Sequence, residues 1–286
     1  MNLTNISTVR DILDRHGFNF SKGLGQNFLI NPDVCPRIAE MGNARQGYGV
    51  LEIGTGIGVL TKELALRAEK VSAVEIDTRL MPVLDETLKE FDNIKIYNED
   101  VMKADLHKII AEDFSGLRAA VCANLPYYIT SPVIMLLLES HLPIDSITVM
   151  VQKEAAQRLC AKVGSRESGA ITVGVNYYGT VKQLFGVSRG SFMPAPNVDS
   201  AVIRIDVDKE RRLAPDVEKF FFKMVKAGFS QRRKTLANSL SSMLGFAKND
   251  VYTALSELGI SESVRIEALT MEQLTDLSKQ LMKTIN

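Results

Sequence analysis

The stretch Val50-Leu-Glu-Ile-Gly-Thr-Gly-Ile-Gly58 runs from apolar residues into a glycine-rich turn, and it decides the fold. It predicts a β-strand over 50–53 that turns sharply into a helix over 59–68. A short strand of almost entirely apolar residues is typical of a parallel sheet covered by helices on both faces. Glycines let the backbone turn tightly and let a ligand approach the main chain. We therefore predict a buried strand with a ligand site at its carboxyl end.

Strand-like and helix-like segments alternate after this turn. The predicted strands cover 71–76, 94–97, 119–123 and 146–151, and the predicted helices cover 78–90, 106–114, 132–138 and 153–162. Repeated strand–helix units favour a parallel sheet with right-handed crossovers. Two more strands, near 180–187 and 198–207, lack an intervening helix and predict an antiparallel pair at the sheet edge. The fold class is therefore α/β, with a doubly wound, Rossmann-like sheet.

The sequence after Pro215 shows helical periodicity without a clear strand pattern. Helices are predicted near 215–228, 232–244, 249–258 and 271–283. We place a domain boundary near residue 208, which gives a ligand-binding catalytic domain over 1–208. Residues 209–286 then form a small, all-helical C-terminal domain.

The composition excludes several classes of protein. Hydrophobic residues make up 45% and charged residues 24% of the 286 residues, as in ordinary globular proteins. No apolar run approaches the roughly 20 residues that span a bilayer, and the N-terminus lacks a secretory signal core. We therefore expect no membrane partner and a cytoplasmic location. The three cysteines and three histidines are widely spaced, so we expect reduced cysteines and no metal site.

Charge is balanced overall but clustered locally. The formal net charge is zero. Between Lys209 and Lys234, however, nine basic residues stand against three acidic ones. A local cluster of positive charge indicates an anionic partner better than the net charge of the whole chain does.

The glycine spacing bears on the identity of the ligand. Dinucleotide-binding turns follow G-x-G-x-x-G, whereas Gly54, Gly56 and Gly58 are one residue short of that pattern. This spacing favours S-adenosylmethionine over a dinucleotide. A glycine turn that binds no ligand is the third interpretation.

Acidic residues end the next two predicted strands. Glu75 could accept hydrogen bonds from both ribose hydroxyls of a cofactor. Asp100 could accept a bond from an adenine amino group, while the Val101 N–H serves a ring nitrogen. Each acid alone could equally be a strand-end cap. Signals at three successive strand ends favour one shared site.

The tetrapeptide Asn124-Leu-Pro-Tyr127 after the fourth strand points to a specific chemistry. The adenine N6 amine is a weak nucleophile because its lone pair is delocalised into the ring. The side-chain oxygen of Asn124 and the carbonyl of Leu125 could hold its two N–H groups and direct the lone pair at a methyl donor. Pro126 stiffens the turn, and Tyr127 could stack on the base. A proline turn with a core tyrosine is the alternative.

A second aromatic, Phe192, lies in Phe192-Met-Pro-Ala-Pro-Asn-Val198. It could cover the other face of the base, and core packing before a strand is the alternative. To enter such a pocket, the target base must be unpaired or flipped out.

These segments together resemble a known family. They are Leu24-Gly-Gln-Asn-Phe-Leu29, Glu52-Ile-Gly-Thr-Gly-Ile-Gly58, Glu75-Ile-Asp77, Asp100-Val101, Asn124-Leu-Pro-Tyr127 and Phe192-Met-Pro-Ala-Pro196. In this order they are similar to the ribosomal RNA adenine N6,N6-dimethyltransferases. The segment Phe229-Ser-Gln-Arg-Arg-Lys-Thr-Leu236 resembles the branch that acts on small-subunit (16S) ribosomal RNA.

The resemblance implies dimethylation of two adjacent adenosines in a hairpin loop near the 3′ end of 16S rRNA, during biogenesis of the small subunit. The implied cofactor is S-adenosylmethionine, held by Asn27, Leu29, Gly54, Gly56, Glu75, Ile76, Asp100, Val101 and Asn124. The implied catalytic residues are Asn124, Leu125, Pro126, Tyr127 and Phe192. The balanced net charge suggests recognition of RNA shape within an assembling particle more than tight binding to free RNA. We expect the protein to be a monomer.

The helical C-terminal region is then expected to position the RNA. Arg232, Arg233 and Lys234 would contact phosphates, and Lys22 on the glycine-rich loop is a further candidate. A solvated helix face is the alternative for the three C-terminal residues.

Three other functions remain open at this point. The first is methylation of large-subunit (23S) RNA, which the segment Gln231-Arg-Arg-Lys-Thr235 argues against. The second is DNA adenine methylation, which the lack of an Asp-Pro-Pro-Tyr motif disfavours. The third is a ribosome assembly factor in which methylation is secondary.

Overall fold

The computed structural model describes residues 1–21, 23, 25–210 and 212–285. The chain divides into two compact units. The first unit comprises Met1–Ala156 and Val181–Val207, and the second comprises Gln157–Thr180 and Asp208–Asn286.

A seven-stranded sheet forms the centre of the first unit. The strands of the chain are β1 (Phe28–Leu29), β2 (Tyr48–Ile53), β3 (Lys70–Val74), β4 (Ile94–Tyr97), β5 (Arg118–Asn124), β6 (Ser146–Gln152), β7 (Gly179–Val187), β8 (Phe192–Met193) and β9 (Ser200–Val207). The sheet has the order β4-β3-β2-β5-β6-β9-β7, while β1 and β8 form a separate two-stranded sheet. Strands β4, β3, β2, β5 and β6 pair in parallel, and β9 returns antiparallel to β6.

Helices cover the sheet on both faces. They are α1 (Ile6–Arg15), α2 (Val34–Met41), α3 (Val59–Ala65), α4 (Met81–Thr87), α5 (Leu106–Asp113), α6 (Thr130–Glu139) and α7 (Lys153–Leu159), of which α7 reaches into the second unit. All six residues of β2 are buried. Because neighbouring strand residues point to opposite faces, both faces of the sheet must be covered. The predicted α/β, Rossmann-like fold is confirmed.

The second unit is helical in its described residues. Its helices are α8 (Ala170–Tyr178), α9 (Pro215–Ser230), α10 (Leu236–Leu244), α11 (Lys248–Glu257) and α12 (Met271–Ile285). Aromatic rings join α8 to α9, since Tyr177 lies 4.9 Å from Phe221 and Tyr178 stacks on Phe222 at 5.4 Å. The buried Glu218 carboxylate accepts a hydrogen bond from the Tyr177 hydroxyl at 3.0 Å.

The segment Gln157–Thr180 therefore packs with the C-terminal helices, although the sequence analysis included it in the domain over 1–208. A boundary drawn at one point in the sequence cannot describe a unit formed from two separate segments. Helix α8 was also missed, because its apolar residues show no clear helical period.

The basic residues before α10 lie in a turn, and the helix predicted over 232–244 begins only at Leu236. The Lys234 N–H donates to the Gln231 carbonyl at 2.8 Å. Thr235 has extended backbone and caps α10, which explains the late start.

Of the helices in the described residues, none is both long and apolar enough to cross a membrane.

Candidate active site

One cavity of about 330 Å³ opens at the carboxyl ends of β2, β3 and β5. Every residue predicted to bind the cofactor or to act in catalysis lines it: Asn27, Leu29, Gly54, Gly56, Glu75, Ile76, Asp100, Val101, Asn124, Leu125, Pro126, Tyr127 and Phe192. The parallel strands bring these residues together because their carboxyl ends meet at one edge of the sheet.

The glycine turn between β2 and α3 depends on left-handed backbone. Gly54, Gly56 and Gly58 have φ values of 76°, 54° and 90°. Residues with a side chain adopt such angles at a cost. At Gly56, an added Cβ would also lie 3.2 Å from the Phe28 ring. The turn therefore requires glycine both for conformation and for space.

The Glu75 carboxylate fixes this turn from the neighbouring strand. Its Oε2 accepts hydrogen bonds from the Thr55 N–H at 2.8 Å, the Thr55 hydroxyl at 3.0 Å and the Gly56 N–H at 3.3 Å. Its Oε1 accepts one bond, from the Asp77 N–H at 2.9 Å. Since a carboxylate oxygen carries two lone pairs, Oε1 keeps one for a ligand hydroxyl.

The cavity is lined by acids. Glu52, Glu75, Glu99 and Asp100 contribute carboxyl groups, and no basic side chain lines the cavity in the described part of the chain. Such a lining opposes the diphosphate of a dinucleotide and suits a cation. S-adenosylmethionine carries a sulfonium and an ammonium group and no phosphate, so the lining fits it.

Glu52 is the most deeply buried of these acids. It is 0% exposed, and neither carboxylate oxygen has a hydrogen-bond partner among the described residues. Burial raises the pKa of Glu52 to about 8. The nearby Thr61 hydroxyl lowers this pKa, and the charge of Glu75 raises it. Glu52 therefore holds its proton near neutral pH until a cation comes close.

Apolar side chains next to Asp100 offer flat surfaces for a base. Ile76 is 53% exposed and Met102 is 45% exposed, which is unusual for such residues, while Val101 is buried. The Asp100 Oδ1 accepts a hydrogen bond from the Met102 N–H at 3.0 Å. Two apolar surfaces and a carboxylate are what an adenine ring with an amino group requires.

Asn124 ends β5 beside the glycine turn. It is half-buried and lies opposite Met150 of β6 in the sheet. Within the described residues its side-chain amide forms no hydrogen bond, so the amide oxygen is available to a substrate. The next residue, Leu125, is buried at 1% exposure, which anchors the tetrapeptide.

Tyr127 and Phe192 are held by different strands of the first unit. The Tyr127 hydroxyl lies 2.8 Å from the Ser200 hydroxyl at the start of β9. Burial raises the pKa of Tyr127, so the phenol keeps its proton. Phe192 is buried and pairs with Leu29 in the β1–β8 sheet.

The N-terminal loop is tied to the end of β3. The Gln26 amide donates to the Asp77 carboxylate at 2.8 Å, and the Arg79 guanidinium donates to the same carboxylate at 2.6 Å. This guanidinium lowers the pKa of Asp77. The predicted RNA contact Lys22 lies outside the described residues.

The predicted C-terminal RNA contacts differ in their surroundings. Arg232, Arg233 and Lys234 are all exposed. Arg232 donates to the Arg166 carbonyl at 2.8 Å and lies 5.8 Å above the Phe229 ring. Arg233 and Lys234 form no ion pair in the described residues, so they are more available than Arg232 for contact with RNA phosphates.

Four residues of the site were not identified from the sequence as such. Gln26 and Thr55 lie inside motifs that were recognised, but nothing local showed their hydrogen bonds. Glu52 gave a signal, because a charged residue in an apolar strand is unusual. Ser200 gave none, since its role depends on the antiparallel return of β9.

Known proteins are similar to this chain over nearly its whole length. The sequence profile of the family described as "Ribosomal RNA adenine dimethylase" matches residues 17–283. Two proteins named "Ribosomal RNA small subunit methyltransferase A" are similar over nearly their whole length. The protein from Geobacillus thermodenitrificans is 47% identical over 96% of this chain and 95% of its own. The protein from Geobacillus sp. strain WCH70 is 45% identical over 97% of both chains.

Two solved structures are also similar. The crystal structure of the 23S rRNA methyltransferase ErmE covers 90% of this chain and 100% of its own, with 30% identity and a TM-score of 0.68. A dimethyladenosine transferase from Plasmodium falciparum covers 90% and 98%, with 26% identity and a TM-score of 0.74.

Proposed function

This chain belongs to the ribosomal RNA adenine dimethylase family, and from that premise we propose that it dimethylates two adjacent adenosines in a hairpin loop near the 3′ end of 16S rRNA. The enzyme class is that of the family, an S-adenosylmethionine-dependent adenine dimethyltransferase. The reaction would take place during biogenesis of the small ribosomal subunit.

When bound, S-adenosylmethionine supplies an electrophilic methyl carbon on sulfur. The glycine turn with Asn27 and Leu29 would hold it against β2. Glu75 would accept a hydrogen bond from one ribose hydroxyl through the free lone pair of Oε1. Asp100 would accept from the adenine amino group and the Val101 N–H would donate to a ring nitrogen, with the side chains of Ile76 and Met102 beside the ring.

The observation that carries the proposal is the free amide of Asn124 beside an acid-lined cavity. Its oxygen would accept one N–H of the target amine, and the Leu125 carbonyl would accept the other. These two acceptors favour a pyramidal nitrogen with its lone pair directed at the methyl carbon. Catalysis would then come from positioning and polarisation, without a strong base, because the methylated ammonium loses its proton readily.

The aromatic residues would hold the base in this position. Tyr127 would stack on one face, with its ring fixed through Ser200, and Phe192 would cover the other. Pro126 would stiffen the turn between Leu125 and Tyr127. A base held on both faces must leave its own helix, so a loop adenosine is the least costly target.

The choice of RNA follows the relatives. Those named for the small subunit are 45% and 47% identical to this chain, whereas the 23S rRNA methyltransferase ErmE is 30% identical. The exposed Arg233 and Lys234, with Arg232 beside them, would contact RNA phosphates. We include as proposals the domain roles, namely cofactor binding and catalysis by the first unit and RNA positioning by the helical second unit, and a monomeric state within the assembling particle.

The decisive experiment supplies both ribosomal RNAs, as free RNA and as immature particles, with S-adenosylmethionine. Mass spectrometry of digested RNA should show dimethyladenosine at two neighbouring positions of the small-subunit RNA. Primer extension should stop at the same positions. A stop only in the large-subunit RNA, or methylation only of a DNA hairpin of the same sequence added in a parallel reaction, would overturn the assignment.

Methylation and an assembly role can be separated in cells. A strain without the gene should lack dimethyladenosine in its small-subunit RNA. If a variant without transferase activity restored normal particle maturation in that strain, the assembly role would be independent of catalysis.

A further inference from the structure

Tyr128 is a large aromatic side chain exposed at the mouth of the active-site cavity. It directly follows the tetrapeptide, lines the cavity, and is 60% exposed. Aromatic rings of this size are normally much more buried in a folded protein. The residue has no role in the proposed transfer, so its exposure requires another explanation.

Tyr127 and Tyr128 cannot contact the same face of one base. Both belong to a 3-10 turn over Tyr127–Ile129, in which successive side chains point about 120° apart. Tyr127 points towards β9, because its hydroxyl lies 2.8 Å from that of Ser200. Tyr128 therefore points in a different direction, at the rim of the same cavity.

The loop at Gly25 packs against the Tyr128 ring. A Cβ at Gly25 would lie 3.4 Å from its Cε1 atom and 3.4 Å from the Cβ atom of Pro126. The loop at Gly25 thus packs close to the ring and to the proline. In the described residues, no aromatic ring or hydrogen bond engages Tyr128 elsewhere. The ring is thus positioned beside the loop with much of its surface free.

We propose that Tyr128 stacks on the nucleobase next to the target adenosine. This inference rests on the proposed function, since it requires that an RNA adenosine enters the cavity. When one nucleotide leaves its stack, the neighbouring base exposes a face to water. An aromatic ring at the cavity mouth replaces the lost stacking partner, and it does so for any base because every base has a π face.

The electrostatics of the cavity mouth favour a base over a phosphate as the occupant. Besides the buried, protonated Glu52, the described lining contains three carboxyl groups and no basic side chain, so a phosphate would find no cation to pair with there. Stacking on an uncharged ring requires no such cation. If the two methylated adenosines are adjacent, the one outside the cavity stacks on Tyr128 while the other reacts.

The test pairs a protein substitution with an RNA substitution. Short hairpin RNAs carry the two adenosines, and separate versions have an abasic nucleotide on the 5′ or the 3′ side of the target. For the wild-type protein, one of the two abasic RNAs should bind about tenfold more weakly, within the range known for base–aromatic stacking. Tyr128→Ala should bind the unmodified RNA about tenfold more weakly and lose nothing further with that abasic RNA.

Two matched variants separate stacking from other effects. Tyr128→Phe keeps the ring and should retain wild-type binding and the wild-type abasic penalty. Leu66→Ala removes an exposed apolar side chain that is 58% exposed and lies outside the cavity, and it should change neither. A 2-aminopurine at the neighbouring position should change its fluorescence on binding to the wild type but not to Tyr128→Ala.

The outcomes are distinct. An abasic penalty of equal size in the wild type and in Tyr128→Ala would overturn the inference. A loss of S-adenosylmethionine affinity in Tyr128→Ala, with the abasic penalty unchanged, would assign the ring to covering the cofactor instead. If wild-type protein left the small-subunit RNA of immature particles unmethylated, the proposed function itself would fail, whatever the result for Tyr128.

Discussion

The Tyr127 hydroxyl lies 2.8 Å from the Ser200 hydroxyl at the start of β9. This strand, which runs antiparallel to β6, therefore holds the ring that we expect to stack on the target base. Either oxygen can be the donor. The contact joins two segments that are far apart in the sequence, and it fixes the orientation of a half-buried ring.

We expect Ser200→Ala to lower kcat by about tenfold, because a lost hydrogen bond of this kind allows the ring to move. Steady-state kinetics with small-subunit RNA would measure this. Tyr127→Phe removes the same bond from the other side and should give the same loss. If the double variant lost the product of the two single effects, the residues would act independently and the explanation would be wrong.

Asn124→Ala should lower methyl transfer by at least about 100-fold, since a polar group acting on the reacting atom is removed. The fold should persist, because the Asn124 amide has no hydrogen-bond partner among the described residues. Thermal unfolding and single-turnover transfer would test both parts. Asn19→Ala, an exposed asparagine outside the cavity, is the control and should behave like the wild type. Full turnover by Asn124→Ala would refute the role.

Glu75→Gln should weaken S-adenosylmethionine binding by about tenfold, because it removes a charge and an acceptor from the ribose site. It should also loosen the glycine turn, so the amide protons of Thr55 and Gly56 should exchange faster in the cofactor-free protein. Calorimetry and hydrogen exchange would measure these effects. Glu99→Gln, an exposed acid at the same cavity, should cost much less. Equal losses in both variants would show that only the net charge matters.

The buried Glu52 should make stability depend on pH. Its pKa is raised from 4.5 to about 8 in the folded chain, so folding is penalised progressively as the pH rises from 4.5 to about 8. The full shift corresponds to at most about 5 kcal/mol of unfolding free energy, and below pH 4.5 this penalty is absent. Glu52→Gln cannot ionise there, so its stability relative to the wild type should be greater at pH 8 than at pH 5. Denaturant unfolding at both values tests this, and a constant difference between the two proteins would contradict it.

Arg233→Ala combined with Lys234→Ala should weaken RNA binding and reduce its dependence on salt. Each lost phosphate contact should reduce the slope of log affinity against log salt by about 0.7 to 0.9. Arg232→Ala should have a smaller effect, since its guanidinium already donates to the Arg166 carbonyl. The control removes Lys279 and Lys283, two exposed lysines on α12 of the same unit. An unchanged slope in the first variant would place the RNA contacts elsewhere.

The features that could be predicted from the sequence are local ones. The glycine turn, Glu75, Asp100 and Asn124 each follow a strand directly, and parallel strands necessarily bring their carboxyl ends to one edge. What could not be predicted depends on pairing between distant segments. Ser200 reaches Tyr127 only because β9 runs antiparallel to β6.

The C-terminal unit shows the same limit. Residues 157–180 join it through the contacts of Tyr177 and Tyr178 with α9, which no short sequence window could reveal. Helical periodicity predicts a helix that includes Arg232–Lys234, whereas the cap at Thr235 delays the start of α10.

The two-residue pairing of β1 with β8 has a consequence for how this enzyme can vary. Because Leu29 lies opposite Phe192, the opening segment of the chain is a structural partner of the wall expected to cover the substrate base. Shortening the amino end would disturb both halves of the reaction at once. An insertion in β1 or β8 would have to be compensated in the other strand. We therefore expect the two strands to change together among related proteins.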